Sequence, residues 1–171
     1  MKNIAIKHIR AVIRTSAIIG RLNGCLFPTS KQIIMRLKDR VVIVTGGASG
    51  IGKSISIKAA NEGARVVVAD IRETPLEGGQ NTVDAILMAG GISTYMNTDV
   101  TNDNDVKKLI SNTVKKYGFL DVIINNAAAH GRAALLETTE DEWDRVMAVG
   151  AKGMFFGCKY AIEQMLKQNI F

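Results

Sequence analysis

Cysteine is scarce in this chain, and that scarcity excludes a disulfide-stapled fold. The 171 residues contain two cysteines, Cys25 and Cys158, with no C-x-x-C spacing between them. Isolated thiols of this kind are typical of reduced, packing cysteines in a cytosol-like compartment. The two histidines, His8 and His130, have no partners at metal-ligand spacing, so the sequence predicts no metal site.

Long uncharged apolar runs are also missing. A membrane-spanning helix needs about 18 or more such residues, and no stretch approaches that length. Arg14 and Arg21 interrupt any apolar segment of a signal peptide near the start. The sequence therefore predicts no transmembrane segment and favours a cytoplasmic protein.

Acidic residues are absent from the first 34 positions, which hold six of the Lys and Arg residues. Residues 35–171 include 16 basic and 16 acidic residues, so the formal charge of +6 comes from the first 34 residues alone. The charge pattern therefore does not indicate a nucleic-acid groove. We divide the chain into a basic extension, 1–34, and a domain, 35–171. The extension has three interpretations: residues upstream of a true start at Met35, a transit peptide that would direct the protein to the mitochondrial matrix, or a membrane-surface helix.

The most informative stretch runs from Val41 to Gly52 and reads VVIVTGGASGIG. Four uncharged β-branched residues predict a strand buried on both faces of a parallel sheet. A glycine-rich turn follows, and a helical pattern begins at Lys53. Such a turn lets the backbone approach a phosphate, while the N-terminus of the next helix faces the anion with unpaired N–H groups. The stretch is interpreted as a nucleotide site.

Two nucleotide motifs overlap within it. Gly47 to Ser54 fits the P-loop pattern G-x4-G-K-[ST], which would bind ATP with Mg²⁺. Thr45 to Gly52 fits T-G-x3-G-x-G. A second strand, Arg65 to Ala69, ends on Asp70, an acid about 20 residues beyond the turn that suits the ribose hydroxyls of a dinucleotide. Because a 2′-phosphate would meet that negative charge, Asp70 favours NAD over NADP.

The remaining chain alternates strand and helix patterns, which predicts right-handed crossovers and a parallel sheet. The predicted elements after Asp70 are a loop over 73–79, a helix over 81–89, a strand over 92–98, a helix over 102–117, a strand over 121–124, and a helix from Thr139 through Lys167 with a break near Gly150 and Gly153. Trp143 is expected to anchor that last helix to the sheet.

From Met35 onward the chain resembles the N-terminal portion of the short-chain dehydrogenase/reductase family, including 3-oxoacyl-carrier-protein reductase and glucose dehydrogenase-like members. The resemblance rests on motifs that occur in order: the turn Thr45–Gly52, Asp70, Asp99-Val100, Asn125-Asn126-Ala127 and Glu142-Trp143. It implies a Rossmann-like doubly wound α/β fold, truncated after the fourth strand and the following helix, with strand order 3-2-1-4.

The same resemblance assigns roles to residues of this chain. Gly46, Ser49, Gly50, Ile51 and Gly52 would cradle the pyrophosphate. Asp70 and Ile71 would hold the adenosine ribose, Asp99 and Val100 the adenine, and Asn126 would lie beside the nicotinamide. By family the reaction is the NAD-dependent oxidation of a small alcohol or reduction of a ketone, in which a hydride passes between the substrate carbon and the nicotinamide ring.

No catalytic residue can be assigned. The family's proton-transferring Tyr-x3-Lys follows a fifth strand that carries a serine, and this chain ends at Phe171 before that point. Tyr160 is followed at the fourth place by Gln164 and is expected to pack, and Gly150 stands where the family has an asparagine. We expect a truncated member that binds NAD without turnover. The alternative is a noncatalytic NAD-binding or interaction module, and a homo-oligomer is possible in either case.

Overall fold

The computed structural model describes residues 35–131 and 133–168. The interpretations of the basic extension concern residues outside these ranges. Four parallel strands form the sheet: β1 Val41–Thr45, β2 Arg65–Asp70, β3 Ile92–Asn97 and β4 Val122–Ile124. Their order is β3-β2-β1-β4, which confirms the predicted topology.

Within the described ranges, five α-helices accompany the strands: α1 Gly50–Asn61, α2 Thr82–Met88, α3 Asp103–Tyr117, α4 Glu140–Met147 and α5 Gly153–Lys167. A short 3-10 turn, Leu135–Glu137, precedes α4. Asn102 caps α3 by accepting from the N–H of Asn104, and Thr139 caps α4 by accepting from the N–H of Glu142. No helix in these ranges is both long enough and apolar enough to span a bilayer.

The two central strands are buried on both faces because residues 41–44 of β1 and 66–69 of β2 are all apolar. Ile43 and Val67 face one core, which α3 and α5 cover, whereas Val42 and Val44 face a second core under α1 and α2. Alternate residues of one strand thus enter different cores, as the two-residue period of a strand requires. All five residues of β1 are buried.

Two local expectations need correction and a third is refined. Helix α1 begins at Gly50 rather than Lys53, so the last glycines of the turn belong to its first turn. The break expected near Gly150 is a π-helical segment, Ala148–Lys152, which joins α4 to α5 without interrupting the helical path. Trp143 does not anchor α4 to the sheet, since its side chain is 59% exposed.

Candidate functional site

The candidate site lies where the chain reverses its winding direction across the sheet. From β1 the chain passes through α1, β2 and α2 to the edge strand β3, and α3 then carries it back to β4 on the other side of β1. The carboxyl ends of β1 and β4 therefore diverge at a topological switch point. Open α/β sheets bind ligands in the crevice at such points.

The turn after β1 is tightly packed around Gly46, Gly47 and Gly52. Gly46 has φ 65°, a left-handed conformation that favours glycine, and its N–H donates to the carbonyl of Ala69 at 2.8 Å. A β-carbon at Gly47 would lie 2.8 Å from the carbonyl oxygen of Val44, and one at Gly52 would overlap the carbonyl oxygen of Gly46. The glycines thus allow the turn to fold back tightly against the end of β1.

The N-terminus of α1 faces outward beyond this turn. Gly50 and Ile51 are exposed, with Ile51 at 75%. Ser49 makes no capping hydrogen bond with its side chain. Its Oγ accepts instead from the N–H of Leu76 at 2.8 Å, while the N–H of Gly50 donates to the carboxylate of Glu77 at 3.0 Å. A carboxylate therefore already occupies the anion-binding end of this helix.

Asn126 joins the end of β4 to the turn. Its Nδ2 donates to the carbonyl of Thr45 at 2.9 Å and to that of Gly46 at 3.3 Å. The hydroxyl of Thr45 accepts from the N–H groups of Asn126 and Ala127 and donates to the carbonyl of Ile124. Both hydrogen bonds of the Asn126 side-chain nitrogen go to the turn, so this residue stabilises the shape of the site.

The carboxylate of Asp70 lies against the same turn. It accepts from the N–H of Ala48 at 3.1 Å and from the N–H of Arg72 at 3.3 Å. An ionised carboxylate has about four acceptor positions, so it keeps capacity for further donors. Burial raises the pKa of Tyr95, whose protonated phenol donates to the main-chain oxygen of Asp70 at 2.9 Å. Ile71 follows, 58% exposed.

Asp99 and Val100 follow β3 and are arranged differently. Asp99 is exposed, and its Oδ1 accepts from both the N–H and the hydroxyl of Thr101 at 2.8 Å. Val100 is 8% exposed and packs on α5, where a β-carbon at Gly153 would lie 2.8 Å from its Cγ2. Among the hydrogen bonds of the described residues, none joins either residue to the glycine turn.

The residues on which a P-loop would depend make local contacts. The ammonium group of Lys53 donates to the carbonyl of Gln80 at 2.7 Å, and the hydroxyl of Ser54 donates to the carbonyl of Gly50 at 3.1 Å. Ser54 therefore behaves as an ordinary serine in the first turns of a helix, bonding back to the carbonyl four residues earlier.

Other residues of types that often take part in catalysis or metal binding make packing contacts or hydrogen bonds within the domain. Tyr160 is 6% exposed, as expected for a packing residue, and its hydroxyl donates to Asp103. Gly150 lies in the π-helical segment. His130 lies in a loop, where its main-chain oxygen accepts from Arg145 at 3.0 Å. Among the described residues, no group of three or more His, Cys, Asp or Glu is arranged to hold a metal ion.

Glu77 is the site residue that sequence reasoning missed. It lies in the irregular loop between β2 and α2, where no periodic pattern indicates which side chain turns inward. The available signal was compositional: an acid flanked by Pro75 and two glycines, in the connection that leaves the strand carrying Asp70.

Comparison with known proteins adds an independent finding. A family model described as short chain dehydrogenase matches residues 40–170. An uncharacterized oxidoreductase of Thermotoga maritima is 40% identical over 135 residues, covering 79% of this chain and 52% of that protein. The 3-oxoacyl-[acyl-carrier-protein] reductase FabG of the same organism is 35% identical, with 79% and 54% covered.

Solved structures give the same picture. A short chain dehydrogenase from Mycobacterium avium aligns with TM-score 0.70 and 37% identity, over 77% of this chain and 49% of that one. A short-chain type dehydrogenase/reductase from Mycobacterium marinum aligns with TM-score 0.74 and 26% identity, over 80% and 54%. The chain thus spans about half the length of the relatives that it matches.

Proposed function

The chain belongs to the short-chain dehydrogenase family, and from that membership we propose that its described domain binds NAD as the cofactor-binding half of an oxidoreductase. The substrate class is a small alcohol or ketone. Bound NAD supplies the nicotinamide carbon that accepts or donates the hydride. The residues of this chain bind and orient that cofactor.

One observation carries the proposal: the glycine turn and the exposed start of α1 meet the carboxylate of Asp70 at the switch point of the sheet. The N–H groups at the start of a helix attract a diphosphate, because the unpaired donors and the helix dipole both favour negative charge. We assign this role to the backbone of Ser49, Gly50, Ile51 and Gly52, with Gly46 providing the tight approach.

The adenosine half extends from this point along the strand ends. Asp70 would accept from the ribose hydroxyls, with Ile71 beside it, and repulsion between its charge and a 2′-phosphate would favour NAD over NADP. Asp99 would accept from the adenine amine, and Val100 would form the wall behind the ring. These assignments follow the order of the strands from β1 outward to β3.

The nicotinamide half would lie on the β4 side of the turn. Asn126 supports this side by holding the carbonyls of Thr45 and Gly46. Its role is therefore to position the backbone next to the nicotinamide ribose. We assign no proton-transferring residue within the described residues.

Isothermal titration calorimetry of the full chain with NAD, NADP and Mg·ATP tests the proposal. NAD should bind most tightly, NADP should bind more weakly, and Mg·ATP should produce no saturable heat. Asp70→Asn should raise the dissociation constant for NAD by about ten- to a hundredfold, since one charge-assisted hydrogen bond to the ribose contributes roughly 1.5–3 kcal/mol. The same substitution should narrow the difference in affinity between NAD and NADP.

Asp84→Asn is the matched control, because it removes an exposed aspartate from α2 and should leave both affinities unchanged. Saturable binding of Mg·ATP alone would favour the P-loop interpretation and reject the proposal. NAD binding that survives Asp70→Asn with its preference over NADP intact would reject the ribose assignment.

A further inference from the structure

The loop between β2 and α2 is fastened across the glycine turn. Three hydrogen bonds join it to the start of α1: Leu76 N–H to Ser49 Oγ at 2.8 Å, Gly50 N–H to Glu77 Oε1 at 3.0 Å, and Lys53 Nζ to the carbonyl of Gln80 at 2.7 Å. We call residues 75–80 the strap. Every one of these bonds engages a residue at or next to the proposed diphosphate site.

Glu77 gives the strap an anionic group, which makes it resemble the diphosphate of the expected ligand. The N–H of Gly50 lowers the pKa of Glu77, and the charge of Lys53 acts in the same direction. The side chain is therefore ionised at neutral pH and presents an anionic oxygen to the helix N-terminus. A single N–H cannot be the full partner of both this carboxylate and a phosphate, and two anions placed side by side repel each other.

The strap has the features of a segment that opens locally. Leu76 is 73% exposed, and β-carbons built at Gly78 or Gly79 would meet nothing within 4 Å. Segments with so few packed neighbours open at low free energy. Within the strap, the N–H of Gly78 donates to the carbonyl of Pro75 at 3.1 Å, so residues 75–78 form a turn with Leu76 and Glu77 at its two exposed central positions.

Fixed points at either end limit this motion. Pro75 is buried at the beginning of the strap. Shortly after its end, the buried hydroxyl of Thr82 donates to the carbonyls of Gly47 and Ala48 at 3.0 and 3.1 Å. The exposed residues between these points can leave the glycine turn while Pro75 stays buried and Thr82 stays bonded to Gly47 and Ala48.

We infer that the strap is an autoinhibitory contact, in which the Glu77 carboxylate occupies the place of the diphosphate and must be displaced when the dinucleotide binds. The inference rests on the proposed function, because it takes the turn to be the diphosphate site. Its consequence is that the apparent affinity for NAD is lower than the intrinsic affinity, by the fraction of molecules whose strap is open.

Variants that loosen the strap should therefore bind NAD more tightly. For Glu77→Gln we expect an NAD dissociation constant about three- to tenfold lower in titration calorimetry, as for the loss of one competing charge-assisted hydrogen bond in a solvated loop. Glu73→Gln removes an equal charge from the same loop. Among the described residues Glu73 makes no hydrogen bond to the turn, so this control should leave the affinity within about twofold.

A second variant loosens the strap without changing its charge. Leu76→Pro deletes the N–H that donates to Ser49, and proline is favoured at the second position of the turn that begins at Pro75. Leu76→Pro should also lower the dissociation constant for NAD. Adenosine has no diphosphate, so its affinity should be the same for the wild type and for both loosened variants.

Hydrogen exchange measured by mass spectrometry supplies a readout that a purely structural loop would not give. NAD should accelerate exchange of the amides in 76–80 and slow exchange at the start of α1. Two results would overturn the inference and leave the proposed function standing: greater protection of the amides in 76–80 on NAD binding, or a wild type that binds NAD at least as tightly as the loosened variants. If neither wild type nor variants bind NAD, the proposed function falls and the inference with it.

Discussion

Replacing Gly52 with alanine should destabilise the glycine turn more than any other single methyl added there. A β-carbon at this position would overlap the carbonyl oxygen of Gly46, and it would lie 2.6 Å from Asn126 Nδ2 and 2.7 Å from the carbonyl carbon of Gly46. Two of these three atoms belong to the backbone. Helix α1 and the turn would therefore have to separate by about an ångström.

The size of the effect follows from three contributions. Overpacking against rigid atoms costs about 3 kcal/mol, the upper end of the usual range. Loss of the hydrogen bond between Asn126 and Gly46 adds about 1 kcal/mol, whereas the better helix propensity of alanine returns about 1 kcal/mol. The net loss of about 3 kcal/mol corresponds to a fall of about 10 °C in the midpoint of thermal unfolding for a domain of this size.

Gly50→Ala is the matched control, two residues away in the same helix. Gly50 has φ 51°, and a β-carbon there would meet nothing within 4 Å. Only the left-handed conformation is penalised, by about 1–2 kcal/mol. Thermal unfolding followed by circular dichroism should therefore rank wild type, Gly50→Ala and Gly52→Ala in order of decreasing stability. A Gly52→Ala variant that melts with the wild type, or above Gly50→Ala, would refute the steric argument.

Two further predictions concern ionisable groups away from the site. The hydrogen-bonded ion pair with Arg36 is the main cause that lowers the pKa of Glu62 to about 2. The stability that this ion pair contributes is therefore complete above the ordinary pKa of a glutamate and is lost as the pH falls toward 2. Urea unfolding should show Glu62→Gln less stable than wild type at pH 7 and nearly equal to it at pH 2, and a stability difference that does not vary with pH would contradict the prediction. Hydrogen bonds from Lys107 and, to a smaller extent, from Tyr160 lower the pKa of Asp103. Tyr160→Phe should therefore raise the pKa of Asp103 in an NMR titration and lower the midpoint of thermal unfolding by a few degrees. An unchanged titration of Asp103 would contradict its hydrogen bond with Tyr160.

The fold could be predicted largely because the strands carry a strong local signal. Runs of uncharged β-branched residues such as 41–44 and 66–68 leave no polar face, which suits a sheet covered by helices on both sides. The strand order required the family resemblance, since local pattern alone does not say on which side of β1 the last strand pairs. The described sheet has the expected order.

Element boundaries were less predictable where glycine is involved. The absence of a β-carbon makes glycine an unfavourable helix residue, so the sequence pattern placed the start of α1 at Lys53. In the structure Gly50 and Gly52 already belong to that helix, Gly50 with a left-handed φ of 51° and Gly52 packed so closely against Gly46 that a larger residue is excluded there. Tertiary contact there overrides helix propensity.

The candidate site shows the same limit at longer range. The residue type of Asp70 and its distance from the turn indicated its place, and the structure brings it within hydrogen-bonding distance of Ala48. The use of the Asn126 amide on carbonyls some 80 residues earlier could not be read from spacing. Neither could the contact between Glu77 and Gly50, which depends on the path of an irregular loop.

Trp143 illustrates an error of a different kind. A single tryptophan on an amphipathic helix suggests an anchor to a core, but burial depends on what packs against that helix. Among the described residues, α4 has no buried side chain, and Trp143 shares its exposure with Met147 on the same helix. An amphipathic pattern thus identified an apolar face without identifying what that face contacts.

A crystal structure of the full chain with NAD tests the central claim most directly. The account predicts that the diphosphate accepts hydrogen bonds from the N–H groups of Gly50 and Ile51, that the carboxylate of Asp70 accepts from the adenosine ribose, and that Glu77 has left Gly50. NAD bound away from the glycine turn, or bound there with Asp70 directed away from the ribose, would contradict it.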